Sequence, residues 1–582
     1  DVKYLYSSLY NYQLLSRVAN TVRSNINSDE SNFLVSAHSK NAFAGAFKTT
    51  FALYRATGDK KYLLEGFRFA ERSKSAVLLA ELRDNDDKIH TDIDPKLRGD
   101  EKELRNSIAN YKKLIYEEQK KARPSQQKLD LWRDKVFELE KKQELLAETI
   151  RQKYPEYYKI KYGDGTLEPS VIQKSLKEET ILEYALTDNV LYTFLLSKDT
   201  LLVNVDTATK ELESDVRAYV ENIRSGPLSD PEGSFTTFTQ LSYKLYTKLI
   251  KPFESEIRTK KLVIIPDGIL GYLPFETLIR KPAEGEMPDY AKLDYLIKSF
   301  IPRYSYLATM LHTKLNEQKK PTRTLGAFAP VYSNSKPIQT GILTSNSEPL
   351  ILKDIPGSQQ EVKAISDIFS GVDIYRGDMA TERIFKEKAG QYAILHLAMH
   401  TLVDEENPMF SKMVFTNVKD NDEDNLLNTY EIYNIPLNAQ LAVLSSCNTG
   451  NGTLIKGEGI VSLARGFVYT GIPTVIMTLW EVEDESGTGI MADFYKRFKD
   501  HIPVDEALRE SKLNYLNSAD KLRSHPYFWS AYVSIGEDQV FNDVKTPFST
   551  YLVIGLSTLI LLFALVIILM IKKNRKSKLS KY

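Results

Sequence analysis

YAILHLAMH, residues 392–400, and LAVLSSCNTG, residues 441–450, are the two stretches on which the fold turns. The first is an apolar run of strand length that stops at His400, before Thr401 and a polar loop with Asp404, Glu405 and Glu406. The second runs through Leu441–Leu444 into a loop of small residues that holds Cys447. Short continuous apolar runs bounded by turn residues mark strands buried on both faces. Working outward, the same pattern recurs at Leu262–Pro266, Leu325–Ala329 and Thr474–Leu479, and earlier at Leu182–Leu186, Val190–Leu196 and Leu201–Val205. Helical periodicity lies between them, at Lys210 to Ile223 and Phe238 to Ile250. This alternation predicts an α/β domain with a doubly wound, mostly parallel sheet. Ligands of such sheets bind at the carboxyl ends of the strands, where both His400 and Cys447 are placed.

An imidazole beside a thiol holds it partly as thiolate, the form that attacks a carbonyl carbon. Cys447 is therefore the expected nucleophile and His400 its base, with the backbone N–H of Cys447 and a second N–H from the loop after His400 as donors to the oxyanion. Cys447 is the only cysteine among 582 residues, which excludes disulfides within the chain and zinc sites built on cysteine. His396 and His400 form an H-x-x-x-H pair, but zinc binding at that spacing needs a helix, and this stretch reads as strand. His396 is expected to be a structural histidine near the site. No metal or cofactor is expected.

The remainder divides by composition. Residues 1–90 are helical in period, and FALYRATGDKKYLLEGFRFAERSKSAVLLAEL, 51–82, places Tyr54, Ala56, Tyr62, Leu63, Phe67, Ala70 and Leu78 where a helical hairpin buries them. It resembles a tetratricopeptide (TPR) repeat, which implies a protein-binding surface for a regulatory partner. Residues 91–162 are charge-rich and read as an antiparallel helical hairpin or coiled coil, broken at Arg123, Pro124 and Ser125, with solvated charged faces. Residues 163–540 hold the α/β domain and 541–550 a linker. Tyr551 to Ile571 is a run of 21 residues without a charge, followed over 572–582 by a basic tail with Lys572, Lys573 and Arg575. That predicts a single-pass transmembrane helix with the tail cytoplasmic and the body outside, Asp1 following a removed signal or marking a boundary. Lys plus Arg and Asp plus Glu both number 77, so no global basic field points to nucleic acid.

Five ordered blocks then make the α/β domain recognisable: LVIIPDGILGYLPFETL (262–278), ILHLAMH (394–400), LAVLSSCNTG (441–450), GEGIVSLARGFVYTGIPTVIMTLWEVEDES (457–486) and HPYFWSAYVSIG (525–536). The stretch from about Ile172 to Gly536 resembles the CHAT family of caspase-like cysteine peptidases, which commonly follow TPR repeats. The resemblance implies a caspase-hemoglobinase fold and hydrolysis of peptide bonds in a protein substrate through a thioester, with His400 and Cys447 as the catalytic pair. Trp480, Asp484 and Ser486 fit the family's W-x-V-x-D-x-S block, whose expected duty is to anchor the strand-to-helix turn, Asp484 and Ser486 capping the next helix. Glu481, Glu483 and Asp484 also offer a candidate substrate pocket for a basic side chain. The family usually carries Gly after the catalytic His. Thr401 stands there instead, and its β-branched side chain resists backbone angles that Gly permits. An alternative function follows, a catalytically weak or inactive CHAT-like scaffold or sensor.

Overall fold

In the computed structural model the described residues are 2–24, 29–84, 94–121, 123–154, 166–187, 190–207, 209–226, 231–283, 289–312, 320–332, 352–419, 423–446, 449–450, 452–456, 458–542, 544, 563 and 567. The chain opens with four helices, α1 (Val2–Ser24), α2 (Asp29–Thr57), α3 (Lys61–Arg72) and α4 (Ala76–Asp84), in which α1 packs on α2 and α2 on α3. The turn from α2 to α3 uses Gly58 at φ +70°, a left-handed conformation open to glycine. The charged region forms α5 (Pro95–Gln119) and α6 (Gln126–Lys153), packed along Ile108, Val136 and Leu139 with Leu104, Tyr111 and Ile115 beside them. Leu114, Leu131 and Leu145 fall outside that narrow seam and stay exposed.

Sixteen strands follow: β1 (Glu179–Leu186), β2 (Leu191–Leu196), β3 (Leu201–Asp206), β4 (Lys261–Ile265), β5 (Ile301–Tyr304), β6 (Arg323–Ala329), β7 (Val372–Arg376), β8 (Tyr392–Leu397), β9 (Thr401–Leu402), β10 (Lys412–Val414), β11 (Leu426–Asn428), β12 (Leu441–Leu444), β13 (Gly452–Ile455), β14 (Gly459–Ser462), β15 (Thr474–Thr478) and β16 (Tyr532–Gly536). Eleven of them make one sheet in the order β3-β2-β1-β4-β5-β16-β15-β12-β8-β6-β7. The β3/β2, β2/β1 and β16/β15 pairings are antiparallel and the rest parallel, so the fold is mixed α/β with a large, mostly parallel sheet behind a helical N-terminal region. The runs read as buried strands are strands β1 to β4, β6, β8, β12 and β15, within a few residues at their ends.

Both faces are covered where β1 and β4 meet, and the period of two along each strand assigns the side chains. Leu182, Tyr184, Leu262 and Ile264 face Tyr219, Phe238 and Leu245, from the helices Thr209–Arg224 and Pro231–Leu249. Ile181, Ala185, Val263 and Ile265 face Phe43, Phe47, Phe67 and Phe69 of α2 and α3. The helical region is thus one layer of the sheet domain. Charged groups cross the same boundary in buried pairs. Lys40 bonds Asp267 at 2.5 Å, Lys74 bonds Glu183 at 2.7 Å, and Glu71 accepts the backbone N–H groups of Ala308 and Thr309 at 2.8 Å each. Glu458, between β13 and β14, is fully buried. Its carboxylate receives Arg465 at 2.7 Å, the Ser36 hydroxyl at 2.7 Å and the Val77 N–H at 3.3 Å.

The expected single-pass membrane localisation is corrected here. Among the described residues no helix is long and apolar enough to cross a membrane. The run Tyr551 to Ile571 lies outside the described residues, save Phe563 and Ile567.

Removing one partner of a buried ion pair strands the other charge without water. Glu458→Ala is therefore expected to lower the unfolding free energy by about 3–5 kcal/mol in chemical denaturation. A loss below about 1 kcal/mol would mean that Arg465 is satisfied without Glu458.

Candidate active site

β8 and β12 are adjacent, parallel and wholly buried, with the pairs Leu441↔Ile394, Ala442↔Leu395, Val443↔His396 and Leu444↔Leu397. His400 is three residues beyond Leu397, and Cys447 three beyond Leu444. The register thus carries both chains off the same sheet edge equally far. Cys447 and Asn448 lie outside the described residues; the residues on either side of them do not.

Past the last pair, Ser446 continues the ladder with its side chain: its Oγ donates to the Leu397 carbonyl at 3.1 Å and accepts from the Met399 N–H at 3.2 Å. The Thr478 hydroxyl, at the end of β15, donates to the Ser446 carbonyl. On the far side the Gly450 N–H donates to the Thr478 carbonyl at 2.8 Å, and the Thr478 N–H to Thr449 Oγ1 at 3.0 Å. Glycine is required at 450, because a Cβ there would meet Met477 Sδ at 2.9 Å and the Thr478 carbonyl oxygen at 3.1 Å. Three strand ends thus hold both flanks of the cysteine segment.

His400 is held from behind. Its N–H donates to Tyr332 Oη at 3.0 Å, its ring lies 4.7 Å from the Tyr332 ring, and its carbonyl accepts from Val414 at 2.9 Å. Nε2 is 2.7 Å from the Lys353 carbonyl oxygen. A carbonyl can only accept, so Nε2 carries the proton and the neutral ring keeps its acceptor at Nδ1. Thr401 pairs with Met413 in β9, and its φ is not among the positive values, which among described non-glycine residues occur at Ser75, Asn425 and His501. Extended backbone suits a β-branched residue.

The loop after His400 is packed against α5. The buried Tyr116 hydroxyl donates to Asp404, and its ring stacks on Phe410 at 4.1 Å. Asp404 in turn accepts the N–H groups of Glu406 and Asn407 at 3.1 and 2.8 Å. Lys113–Asp424 at 3.0 Å and Lys120–Glu406 at 3.4 Å flank this contact. Charges read as a solvated face are thus partly a docking face.

His396 is fully buried, with Nδ1 3.1 Å from Tyr495 Oη and Nε2 3.4 Å from Glu361 Oε1; burial pushes its pKa down to about 3. It and His400 address different partners, which does not fit a shared metal. Among the described residues the one group of acids close enough to hold an ion is Glu382, Glu423 and Glu431, and the Lys386 ammonium bonds all three.

The acidic loop is largely engaged in holding backbone. Glu483, not Asp484, caps the helix Asp484–Lys499, accepting the Ser486 N–H at 2.8 Å and its hydroxyl at 2.6 Å. Asp484 accepts the Gly357 N–H at 3.0 Å, at the start of the helix Pro356–Ser366. Glu485 pairs with Arg523 at 2.6 Å, and Glu481 is exposed. Trp480 is buried and donates to the Tyr527 carbonyl at 2.9 Å.

Sequence reasoning missed Tyr332, Lys353, Ser446, Thr478 and Glu361. Glu361 left a trace, as an acid on the stripe Ser358, Val362, Ile365 that its helix buries.

Residues 239–537 match the CHAT domain, more than half of the chain. The chain belongs to the CHAT-domain family. The CHAT chain is also 25% identical over 347 residues to mouse tetratricopeptide repeat protein 28, and 24% identical over 343 residues to the human protein. Each alignment covers 51% of this chain and 13% of the relative, so the chain spans about an eighth of the length of these relatives. This similarity accords with TPR-like helices before the CHAT domain. Among solved structures, the Saccharomyces cerevisiae separase–securin complex aligns with 92% of this chain and 38% of that one, at 10% identity and a TM-score of 0.39. The Porphyromonas gingivalis RgpB complex of pro- and mature domains aligns with 58% of this chain and 78% of that one, at 9% identity and a TM-score of 0.32.

Burial works to raise the Glu483 carboxyl, but the Ser486 hydrogen bonds outweigh it and hold its pKa below the ordinary 4.5. A carboxyl depressed in the folded state stabilises above its unfolded pKa and loses that contribution as pH falls through the folded one. Glu483→Ala should cost about 1 kcal/mol at neutral pH, measured by chemical denaturation. The difference from wild type should shrink on acidification below the ordinary carboxyl range; a pH-independent difference would contradict the capping role.

Proposed function

We propose that this chain is a caspase-like cysteine endopeptidase that cuts a protein substrate with Cys447 as nucleophile and His400 as base. The observation that carries this reading is the register of β8 and β12, whose last pair, Leu397 and Leu444, stands three positions before His400 and Cys447 in the sequence. The Nε2 bond to the Lys353 carbonyl supports it, because it leaves Nδ1 of His400 as the proton acceptor. Nδ1 takes the thiol proton, and the thiolate adds to the scissile carbonyl carbon. The oxyanion is met by backbone N–H groups, those of Cys447 and Thr401 being the proposed donors. The tetrahedral intermediate collapses as the imidazolium gives its proton to the leaving amine, and a thioester remains. Water, deprotonated by the same imidazole, hydrolyses it and regenerates the thiol.

The TPR-like helices supply recognition of a regulatory protein in this reading, and they are built to transmit it. Lys40 and Lys74 end on Asp267 and Glu183 of the sheet domain and the Ser36 hydroxyl on Glu458, which lies in the hairpin that follows the cysteine loop. With Glu483 and Asp484 holding backbone, Glu481 is the acid left to favour a basic residue before the cut.

Cys447→Ala should lower hydrolysis of a cleavable peptide by at least about a thousandfold, and His400→Ala by about a hundredfold or more. Both should leave the melting temperature within a few degrees. A peptidyl electrophile should label wild type and not Cys447→Ala. Turnover retained in Cys447→Ala would remove the mechanism, and an unlabelled wild type with no turnover would place the chain with the scaffold reading.

A further inference from the structure

We propose that Glu361 is a positioning residue for the thiol chemistry, holding the ends of β12 and β8 through Ser445 and His396. What it positions rests on the peptidase reading above. The arrangement itself is a buried chain of polar groups linking five elements behind the site, and that reading assigns no role to it.

Glu361 lies in the second turn of the helix Pro356–Ser366 and is 5% exposed. Its Oε2 accepts the Ser445 hydroxyl at 2.9 Å. Ser445 has thereby given away its one proton, so the contact of 2.8 Å with Tyr532 is a hydrogen bond donated by the tyrosine. Oε1 lies 3.4 Å from His396 Nε2, and neither of these buried atoms makes a hydrogen bond in the structure. His396 Nδ1 lies 3.1 Å from Tyr495 Oη.

The titratable groups turned toward Glu361 are His396 from β8, Asp484 and Tyr495 from the helix Asp484–Lys499, and Tyr532 from β16. None is a cation. Burial first, and the Asp484 charge second, push the carboxyl up to about 8 against the opposing bond from Ser445. At neutral pH the carboxyl therefore keeps its proton, and the unprotonated Nε2 of His396 is there to accept it. The protons then run in one direction. Tyr532 donates to Ser445 and Ser445 to Glu361, the Glu361 proton is turned toward the open His396 Nε2 3.4 Å away, and His396 Nδ1 donates to Tyr495.

Both protein ends of this chain lead to the site. Ser445 precedes Ser446, the residue that ties β12 to Leu397 and Met399, and stands two positions before Cys447. His396 stands one strand repeat and two residues before His400. Removing the carboxyl would leave the Ser445 hydroxyl and the His396 ring without their common partner, in a dry interior where such groups turn to find another.

Because Cys447 is the only cysteine, the alkylation rate of the native chain by iodoacetamide reads that thiol alone and needs no substrate. Glu361→Ala should slow alkylation at pH 7 by about tenfold or more, since small displacements of reacting groups cost rate steeply. Glu361→Gln should stay within about threefold of wild type, because its amide oxygen can accept from Ser445 and its NH₂ donate to His396. A second signature follows from the raised carboxyl, whose contribution to stability is full at low pH and lost as pH rises through about 8. The melting temperature of Glu361→Gln should therefore gain on wild type between pH 5 and pH 8. Alkylation of Glu361→Ala within twofold of wild type, or a Gln variant as slow as the Ala variant, would overturn the proposal. If Glu361→Ala does not fold, Ser445→Ala takes its place: the same slowing is expected, and an unchanged rate overturns. Hydrolysis surviving in Cys447→Ala would remove the peptidase reading while leaving the alkylation comparison intact.

Discussion

One serine hydroxyl, donating one hydrogen bond and accepting another, sets the geometry on which the candidate site depends. Ser446 bonds the Leu397 carbonyl and the Met399 N–H, and so keeps β12 and β8 paired for two residues beyond their last backbone contact. Parallel strands ordinarily separate where their ladder ends, because their connections leave in different directions. Here Thr478 at the end of β15 fastens the third side, bonding the Ser446 carbonyl, Thr449 and Gly450. Ser446 and Thr449 are thereby both fixed, and the His400 ring is oriented by Tyr332 and Lys353.

The helices before the sheet belong to this construction. α2 and α3 cover one face of β1 and β4 with four phenylalanines, and Lys40 and Glu71 on them, with Lys74 in the turn after α3, reach buried acids and backbone N–H groups of the sheet domain. Buried ion pairs of this kind contribute little net stability over apolar packing, yet they are costly to break singly, so they fix one relative placement. α5 meets the loop beyond His400 through Tyr116, and α2 and α4 meet the hairpin beyond Cys447 through Glu458. The helical region therefore touches structures that adjoin both halves of the candidate site.

Much of this was legible in the sequence, and the division follows the range of the interactions. Buried parallel strands have to be continuous apolar runs, so β4, β6, β8, β12 and β15 stood out, and with them the placement of His400 at a sheet edge. Local spacing misassigned the cap. Asp484 fits the pattern for its own helix, but a backbone N–H from residue 357, 127 positions away, takes its carboxylate, and Glu483 caps instead. β10, β11, β13 and β14 are three or four residues long, too short for any period to register. Thr401 was read against a glycine-only conformation, whereas pairing with Met413 holds it extended. Tyr332, Lys353 and Glu361 reach the site across 47 to 84 positions, and no spacing rule encodes that.

In the proposed mechanism His400 serves the thiol of Cys447 through Nδ1. The most direct measurement is a crystal structure of the chain with a peptidyl aldehyde added to its single cysteine. The expected adduct is a hemithioacetal on Cys447 with Nδ1 of His400 within hydrogen-bond reach, about 2.6–3.2 Å, of the sulfur or the new oxygen, and with Nε2 still donating to Lys353. A cysteine adduct with the His400 ring turned away and out of reach of both atoms would contradict it.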